Sequence, residues 1–325
     1  MPNAAEPAPS LSATSSFSSE HHLNSPEQTA FWQQVTQSSF KANDDVSLAY
    51  ASIINPNSRA TIVLSSGRVE SYLKYKELMF DLYQQGYSLF AIDHRGQGLS
   101  SRTTTDPHKG HIDNFQRYVD DFDDFINKVV KPQPEENYFL VGHSMGGAIG
   151  TLYLEQHSGV FKAAVFSAPM YGIKLPLPKR FIRWLASLLD NHNKQQPNYV
   201  LGGKGYHADE FDKNDLTNSK LRYQDYRKLY QQQPKLQLGS PTNHWLVESI
   251  DAGDNAIKAT QNIDIPLLIL QAEEDTIVSN AAQKQAAIGQ CKLLNIPYAR
   301  HEIFMERDKA RNLALTALLA FLQQT

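Results

Sequence analysis

The chain has a single cysteine, Cys291, so no intrachain disulfide can form and a thiolate zinc site lacks its ligands. A lone thiol fits a reducing compartment. No run approaches the ~18–20 consecutive apolar residues that a membrane-crossing helix requires. The first Lys or Arg is Lys41, so the N-terminus lacks the positive and apolar segments of a secretory signal. A cytoplasmic location is expected, and peripheral contact with the inner face of the cytoplasmic membrane is compatible with it, because surface attachment needs no span. Basic charge is not in excess either. The 31 Lys and Arg against 34 Asp and Glu leave a net charge of −3, which argues against a nucleic-acid binder. Residues 1–28 are rich in Ser, Ala, Pro and Asn, offer little to bury, and are expected to form a disordered tail.

What the chain does have is a beat of short apolar runs alternating with helical patterns. Val46–Ile54 alternates with period two, and Ala60–Leu64, Tyr87–Ile92, Tyr138–Val141, Ala163–Phe166 and Ile265–Leu270 read as buried strands. Tyr298–Phe304 is expected to be the last strand, before a terminal helix through Leu315, Leu318, Leu319 and Leu322. Helical patterns between the strands predict an α/β fold with a mostly parallel sheet covered on both faces. The beat stops between Met170 and about Ile250, where Gln, Asn, Lys and Tyr dominate. The expected organisation is thus a core of residues 29–170 and 251–325 interrupted by an insertion at 171–250, too long for an ordinary loop.

The chemistry-bearing motif is Gly142-His143-Ser144-Met145-Gly146, placed between the Tyr138–Val141 run and a helical pattern. G-x-S-x-G in a strand–turn–helix context is the signature of a nucleophile elbow. A serine hydroxyl needs a histidine to take its proton and a carboxylate to orient that histidine. On this topology the acid and then the histidine follow the serine. Asp275 lies just beyond the Leu267–Leu270 run, with Glu273 and Glu274 as chemical rivals, and His301 is the only histidine after His244. Taken singly, each is more simply a solvated carboxylate or a surface histidine; taken as an ordered set, they point to acyl transfer. The expected oxyanion donors are the main-chain N–H groups of Met145 and of Arg68, in the loop after Ala60–Leu64. The Arg68 side chain is either a surface charge or a contact for an anionic head group.

Together these residues resemble the α/β-hydrolase superfamily, in the serine-hydrolase branch of monoacylglycerol lipases and bacterial lysophospholipases. The similarity runs from about Phe31 to the C-terminus and is closest to the L-two type of lysophospholipase. Its narrowest segments are Gly67-Arg68-Val69-Glu70-Ser71 and Pro241-Thr242-Asn243-His244-Trp245. Ser66-Gly67 stands where monoacylglycerol lipases usually carry His-Gly, which weakens that alternative. The resemblance implies a helical cap over residues 171–250 and a structural role for Asp93–Gly98, with His143 packed rather than catalytic. It also implies a carboxylic-ester hydrolase acting on a lysophospholipid or monoacylglycerol, with no metal or organic cofactor. Within the insertion, Leu177–Leu189 fits an amphipathic helix bearing Lys179, Arg180 and Arg183. Its Trp184 is a candidate substrate contact if the helix lines an acyl tunnel; the same face would otherwise meet lipid or pack inside the cap. The rivals are a monoacylglycerol lipase or short-chain carboxylesterase, a carbon–carbon bond hydrolase, an acyl transferase between lysolipids, and a non-catalytic binding protein on this scaffold.

Overall fold

The computed structural model describes residues 17–133 and 137–325. Eight strands, β1 (Thr36–Lys41), β2 (Ser47–Ile53), β3 (Ala60–Ser65), β4 (Tyr87–Ile92), β5 (Tyr138–His143), β6 (Ala163–Ser167), β7 (Leu267–Ala272) and β8 (Cys291–Ile296), form one sheet. Its spatial order is β1-β2-β4-β3-β5-β6-β7-β8. The β1/β2 and β2/β4 pairs are antiparallel, and every later pair is parallel. Nine α-helices are described: α1 (Pro26–Trp32), α2 (Lys76–Gln84), α3 (Gln116–Phe125), α4 (Met145–Gln156), α5 (Lys179–Leu189), α6 (Lys220–Gln232), α7 (Asn243–Ala259), α8 (Asn280–Ala286) and α9 (Asp308–Gln323). The result is an α/β-hydrolase fold. Strands β3 to β7 are buried along their whole length, as expected when helices cover a parallel sheet on both faces.

The expected elements and the observed ones differ in four places. Residues 1–16 of the expected tail lie outside the described residues, but 17–28 are ordered. Ser25 and Gln28 form a capping box that starts α1, Ser18 bonds Asp81, and Ser19 and Glu20 bond Asp308. Polar composition hid this segment, because polar contacts rather than apolar burial hold it. Strand β1 escaped the apolar pattern because it is a mostly exposed edge strand. The last strand is Cys291–Ile296, not Tyr298–Phe304. Pro297 has no N–H to donate to a ladder and Tyr298 takes φ +60°, so the chain turns out of the sheet there. Finally, the expected boundary between 250 and 251 falls inside α7, which spans cap and core and packs on both α5 and α4.

Parallel strands leave their carboxyl ends on one edge, and ligands gather there in open α/β sheets. The loops that follow β3, β5, β7 and β8 carry Arg68, Ser144, Asp275 and His301 respectively. The chain between β6 and β7 brings residues of α6 and the start of α7, among them Tyr226, Tyr230 and Trp245, to the wall of the cavity beside Ser144.

Candidate active site

The elbow forms where β5 must reverse into α4 within one residue. Ser144 sits at φ 51°, ψ −116°, a conformation that costs about 1–3 kcal/mol in a non-glycine residue. Close approach is what the flanking glycines permit: a Cβ on Gly146 would lie 2.1 Å from the Ser65 carbonyl oxygen. The strained turn presents Ser144 Oγ to His301 Nε2 at 2.9 Å, and His301 Nδ1 faces Asp275 Oδ2 at 2.8 Å. An Nδ1–H donated to Asp275 leaves the Nε2 lone pair for the serine proton. The other Asp275 oxygen accepts the main-chain N–H groups of Ile277 (2.8 Å) and Val278 (2.9 Å). Burial pushes the Asp275 carboxyl up, but His301 and these two amides outweigh it and hold it below the ordinary range. Glu273 and Glu274 are exposed and bond Tyr298 and Asn218 instead.

The loop after β3 is bent beside this row. Val69 takes φ +65°, a conformation β-branched residues rarely adopt, and Gln97 Nε2 donates to the Gly67 carbonyl at 2.6 Å. Gly67 N–H is consumed by Glu70 Oε2 at 2.6 Å. Among the described residues, the main-chain N–H groups of Arg68 and Met145 have no protein acceptor. The Asp93–Gly98 loop supports this wall. Asp93 accepts from Ser71 Oγ, Tyr72 N and Leu99 N, and Gln97 belongs to the same turn.

Sequence reading missed the buried charge network beneath the site. Glu70 accepts from Gly67 N, from the Tyr75 hydroxyl, from Lys74 (3.1 Å) and from His143 Nδ1 (2.9 Å). His143 Nε2 in turn lies 3.2 Å from the His301 carbonyl oxygen, and Lys74 also pairs with Glu302. Burial alone would lower the His143 pKa; the Glu70 charge and hydrogen bond prevail and raise it. One carboxylate thus ties the loop after β3 to the elbow and, through His143, to the loop of His301. The signal available was Glu70, inside the narrow Gly67–Ser71 segment, with Lys74 at i+4 just beyond it. Charge at that spacing usually marks a solvated helix face.

A cavity of about 410 Å³ opens over Ser144 and His301. Its walls are largely apolar, with Val69, Met170, Ile173, Leu238, Ile277 and Val278 among them. Arg68 also lines it. That guanidinium lies 5.0 Å from the Trp245 ring centre and donates to the Gly239 carbonyl at 2.6 Å. The two narrowest sequence segments therefore meet in one contact. Trp184 does not join them: it is 57 % exposed, stacks near Phe181 and lies outside the cavity wall. Helix α5 turns Lys179 and Arg183 toward Asp254 and Asp251 of α7, which sends its apolar face outward.

One group of side chains has the spacing of a cation site. Ligand atoms of Asp190, His192 and His244 lie within 4.8 Å of one another, away from the Ser144 cavity wall. Both ring nitrogens of His244 are already engaged, by Asp190 (2.6 Å) and by the Asp113 carbonyl (2.8 Å). No helix among the described residues is long and apolar enough to cross a membrane.

Comparison with known proteins places this geometry in a family. Residues 56–308 match the family described as serine aminopeptidase, S33. Lysophospholipase L2 of Escherichia coli K12 is 37% identical over 302 residues, covering 90% of this chain and 89% of that protein. A probable lysophospholipase L2 of Haemophilus influenzae is 35% identical over 310 residues, covering 93% and 96%. Among solved structures, a soluble variant of monoglyceride lipase from Saccharomyces cerevisiae superposes with a TM-score of 0.69 at 22% identity, covering 89% of this chain and 94% of that one.

Proposed function

The chain belongs to the serine aminopeptidase S33 family, and from that premise we propose a lysophospholipase-type carboxylic-ester hydrolase that works through an acyl-enzyme on Ser144. It is a serine hydrolase of α/β-hydrolase fold. In the reaction, His301 Nε2 takes the Ser144 proton as Oγ attacks the acyl carbonyl carbon, and Asp275 stabilises the resulting imidazolium. The carbonyl π electrons move onto oxygen, where the Arg68 and Met145 amides donate to the oxyanion. Collapse breaks the ester C–O bond, and the leaving glycerol oxygen takes the proton from His301. Water, deprotonated by the same nitrogen, then releases the fatty acid and restores Ser144. The observation that carries this reading is the Ser144–His301–Asp275 row, beside two unsatisfied N–H groups and under an apolar cavity. Such walls suit a fatty acyl chain.

The test is a substrate panel of lysophosphatidylcholine, monoolein and p-nitrophenyl butyrate, assayed with wild type and Ser144→Ala. The wild type should favour lysophosphatidylcholine, and the variant should lose several orders of magnitude in kcat. A loss below about tenfold would overturn the mechanism. Preference for monoolein would favour the monoacylglycerol alternative. The protein is proposed to act from the cytoplasm at the inner face of the cytoplasmic membrane. The buried free thiol of Cys291 and the outward apolar stripe of α5 support that placement.

A further inference from the structure

Resting on the lysophospholipid reading, we propose that Arg68 and Arg227 form a phosphate subsite in the Ser144 cavity and select phosphodiester substrates over neutral glycerides. Both guanidinium groups line the same cavity as Ser144 and His301. Both have an Nε that is buried without a hydrogen-bond partner. Arg68 is fixed by Trp245 and by the Gly239 carbonyl, and Gly110 leaves it room: a Cβ there would lie 2.4 Å from Nη2. Arg227 rests over the rings of Tyr206, Tyr223 and Tyr226 at 5.4, 5.6 and 5.7 Å and donates to the His207 carbonyl at 3.1 Å. Neither pairs with a carboxylate among the described residues.

The fold treats its buried arginines differently. Arg95 pairs with Asp44 and Asp121, Arg222 with Glu77 and Asp308, and Arg311 with Asp81. Arg68 and Arg227 are half-buried, yet each keeps a buried Nε with no protein acceptor, and such partly desolvated cations lining a cleft point to an anion supplied from outside. Burial accordingly pushes the Arg68 pKa down to about 10, with the Tyr118 and Tyr199 hydroxyls pulling it back only in part. Of the cavity's own acids, Glu302 pairs with Lys74 and Asp209 lies 3.7 Å from His207; neither forms an ion pair with Arg68 or Arg227. Lys74 in turn is held between Glu70 and Glu302. Position fits as well. The Arg68 guanidinium lies between the Gly239 carbonyl and the Trp245 ring in the wall of the Ser144 cavity, and a lysophospholipid carries its phosphate one glycerol away from the scissile carbonyl. A guanidinium fork matches two phosphate oxygens, and cations already stacked on aromatic rings lose little freedom on binding.

The experiment compares Arg227→Gln, Arg227→Lys and Arg68→Gln with wild type on oleoyl lysophosphatidylcholine and monoolein, which share one acyl chain. Fluorophosphonate labelling of Ser144 serves as the control for an intact site. Arg227→Gln should lower kcat/KM for the phospholipid about 10–100-fold, chiefly through KM, with a much smaller change on monoolein, whereas Arg68→Gln, whose amide also faces the oxyanion, should slow both esters and the phospholipid more. Arg227→Lys should recover part of the loss. Glycerol phosphate should inhibit wild type and lose potency against the Gln variants. Equal losses on both esters with labelling retained would overturn the subsite. So would weaker inhibition by oleate with an unchanged ester ratio, because the arginines would then bind product carboxylate. Should Arg68→Gln fail to label, the Arg227 variants decide alone. Failure of the ester-hydrolase reading shows separately, as activity surviving Ser144→Ala.

Discussion

At the residue scale, the least expected participant is Glu70, which never approaches the reacting serine. Its carboxylate occupies the Gly67 amide, so the next amide in the loop, that of Arg68, is left to face the site. It also raises the proton affinity of His143, whose Nε2 lies against the carbonyl of His301. Glu70 is thus a positioning residue. Glu70→Gln keeps one acceptor but loses the charge, and kcat should fall about tenfold to hundredfold with KM nearly unchanged, a fraction of a lost oxyanion donor. A fall in Tm with kinetics intact would make its role purely structural. His143 adds a pH dependence of definite sign. Its folded pKa lies above the ordinary 6.5, so its contribution to stability is complete below that value and is lost as pH rises through the folded one. Denaturation midpoints of wild type and His143→Gln should therefore differ most in mild acid and converge in alkali. A gap that widens with pH would contradict a raised His143 pKa.

At the element scale, α5 shows why periodicity predicts a stripe but not its direction. The spacing of Phe181, Trp184, Leu185, Leu188 and Leu189 marks an amphipathic helix, which usually turns its apolar side inward. Here Asp251 and Asp254 of α7 draw Arg183 and Lys179 inward, and Phe181, Trp184 and Leu188 face solvent. Only Ala186 of this helix is fully buried. Apolar side chains grouped on one exposed helix face are the mark of an interaction surface. The triple change Phe181→Asp, Trp184→Asp and Leu188→Asp should abolish co-sedimentation with anionic phospholipid vesicles while hydrolysis of p-nitrophenyl butyrate persists. Unchanged vesicle binding would remove α5 from the membrane contact.

At the scale of the whole molecule, a buried arginine joins parts of the chain that are remote in sequence. Arg222 on α6 is fully buried, bidentate to Glu77 of α2 and paired with Asp308 of α9. It also reaches the carbonyl of Glu306, just before α9, and the N-terminal segment adds Ser18 and Glu20 to the same cluster. Tyr226, Arg227 and Tyr230 of the same helix line the cavity, so one ion cluster fixes the cap wall against the core. Arg222→Ala would strand Glu77 without its main partner. An unfolding free energy lower by about 3–5 kcal/mol is expected from urea titration, and a change under 1 kcal/mol would show the cluster to be dispensable. Because the cavity wall rides on this helix, catalytic efficiency toward long acyl chains should fall with stability.

The sequence by itself determined the parallel core, the elbow and the ordered set of Ser144, an acid after β7 and His301. Strand periodicity and a strained turn are local properties, written in adjacent residues. The choice of Asp275 over Glu273 and Glu274 was not legible there, since all three follow β7 and only the fold brings Asp275 to His301 Nδ1. The polar edge strand β1, the ordered residues 17–28 and the displacement of the last strand to Cys291–Ile296 were not, because hydrogen bonds to distant partners or a single proline decided them. Direction and pairing belonged to the tertiary structure alone. The face α5 turns outward depends on aspartates about seventy residues away. Whether Arg68 and Arg227 stand unpaired, while Arg95, Arg222 and Arg311 do not, depends on which carboxylates the fold brings within reach. A charge has no partner until the chain has closed around it, so chemistry could be read along the sequence while recognition had to be read across space.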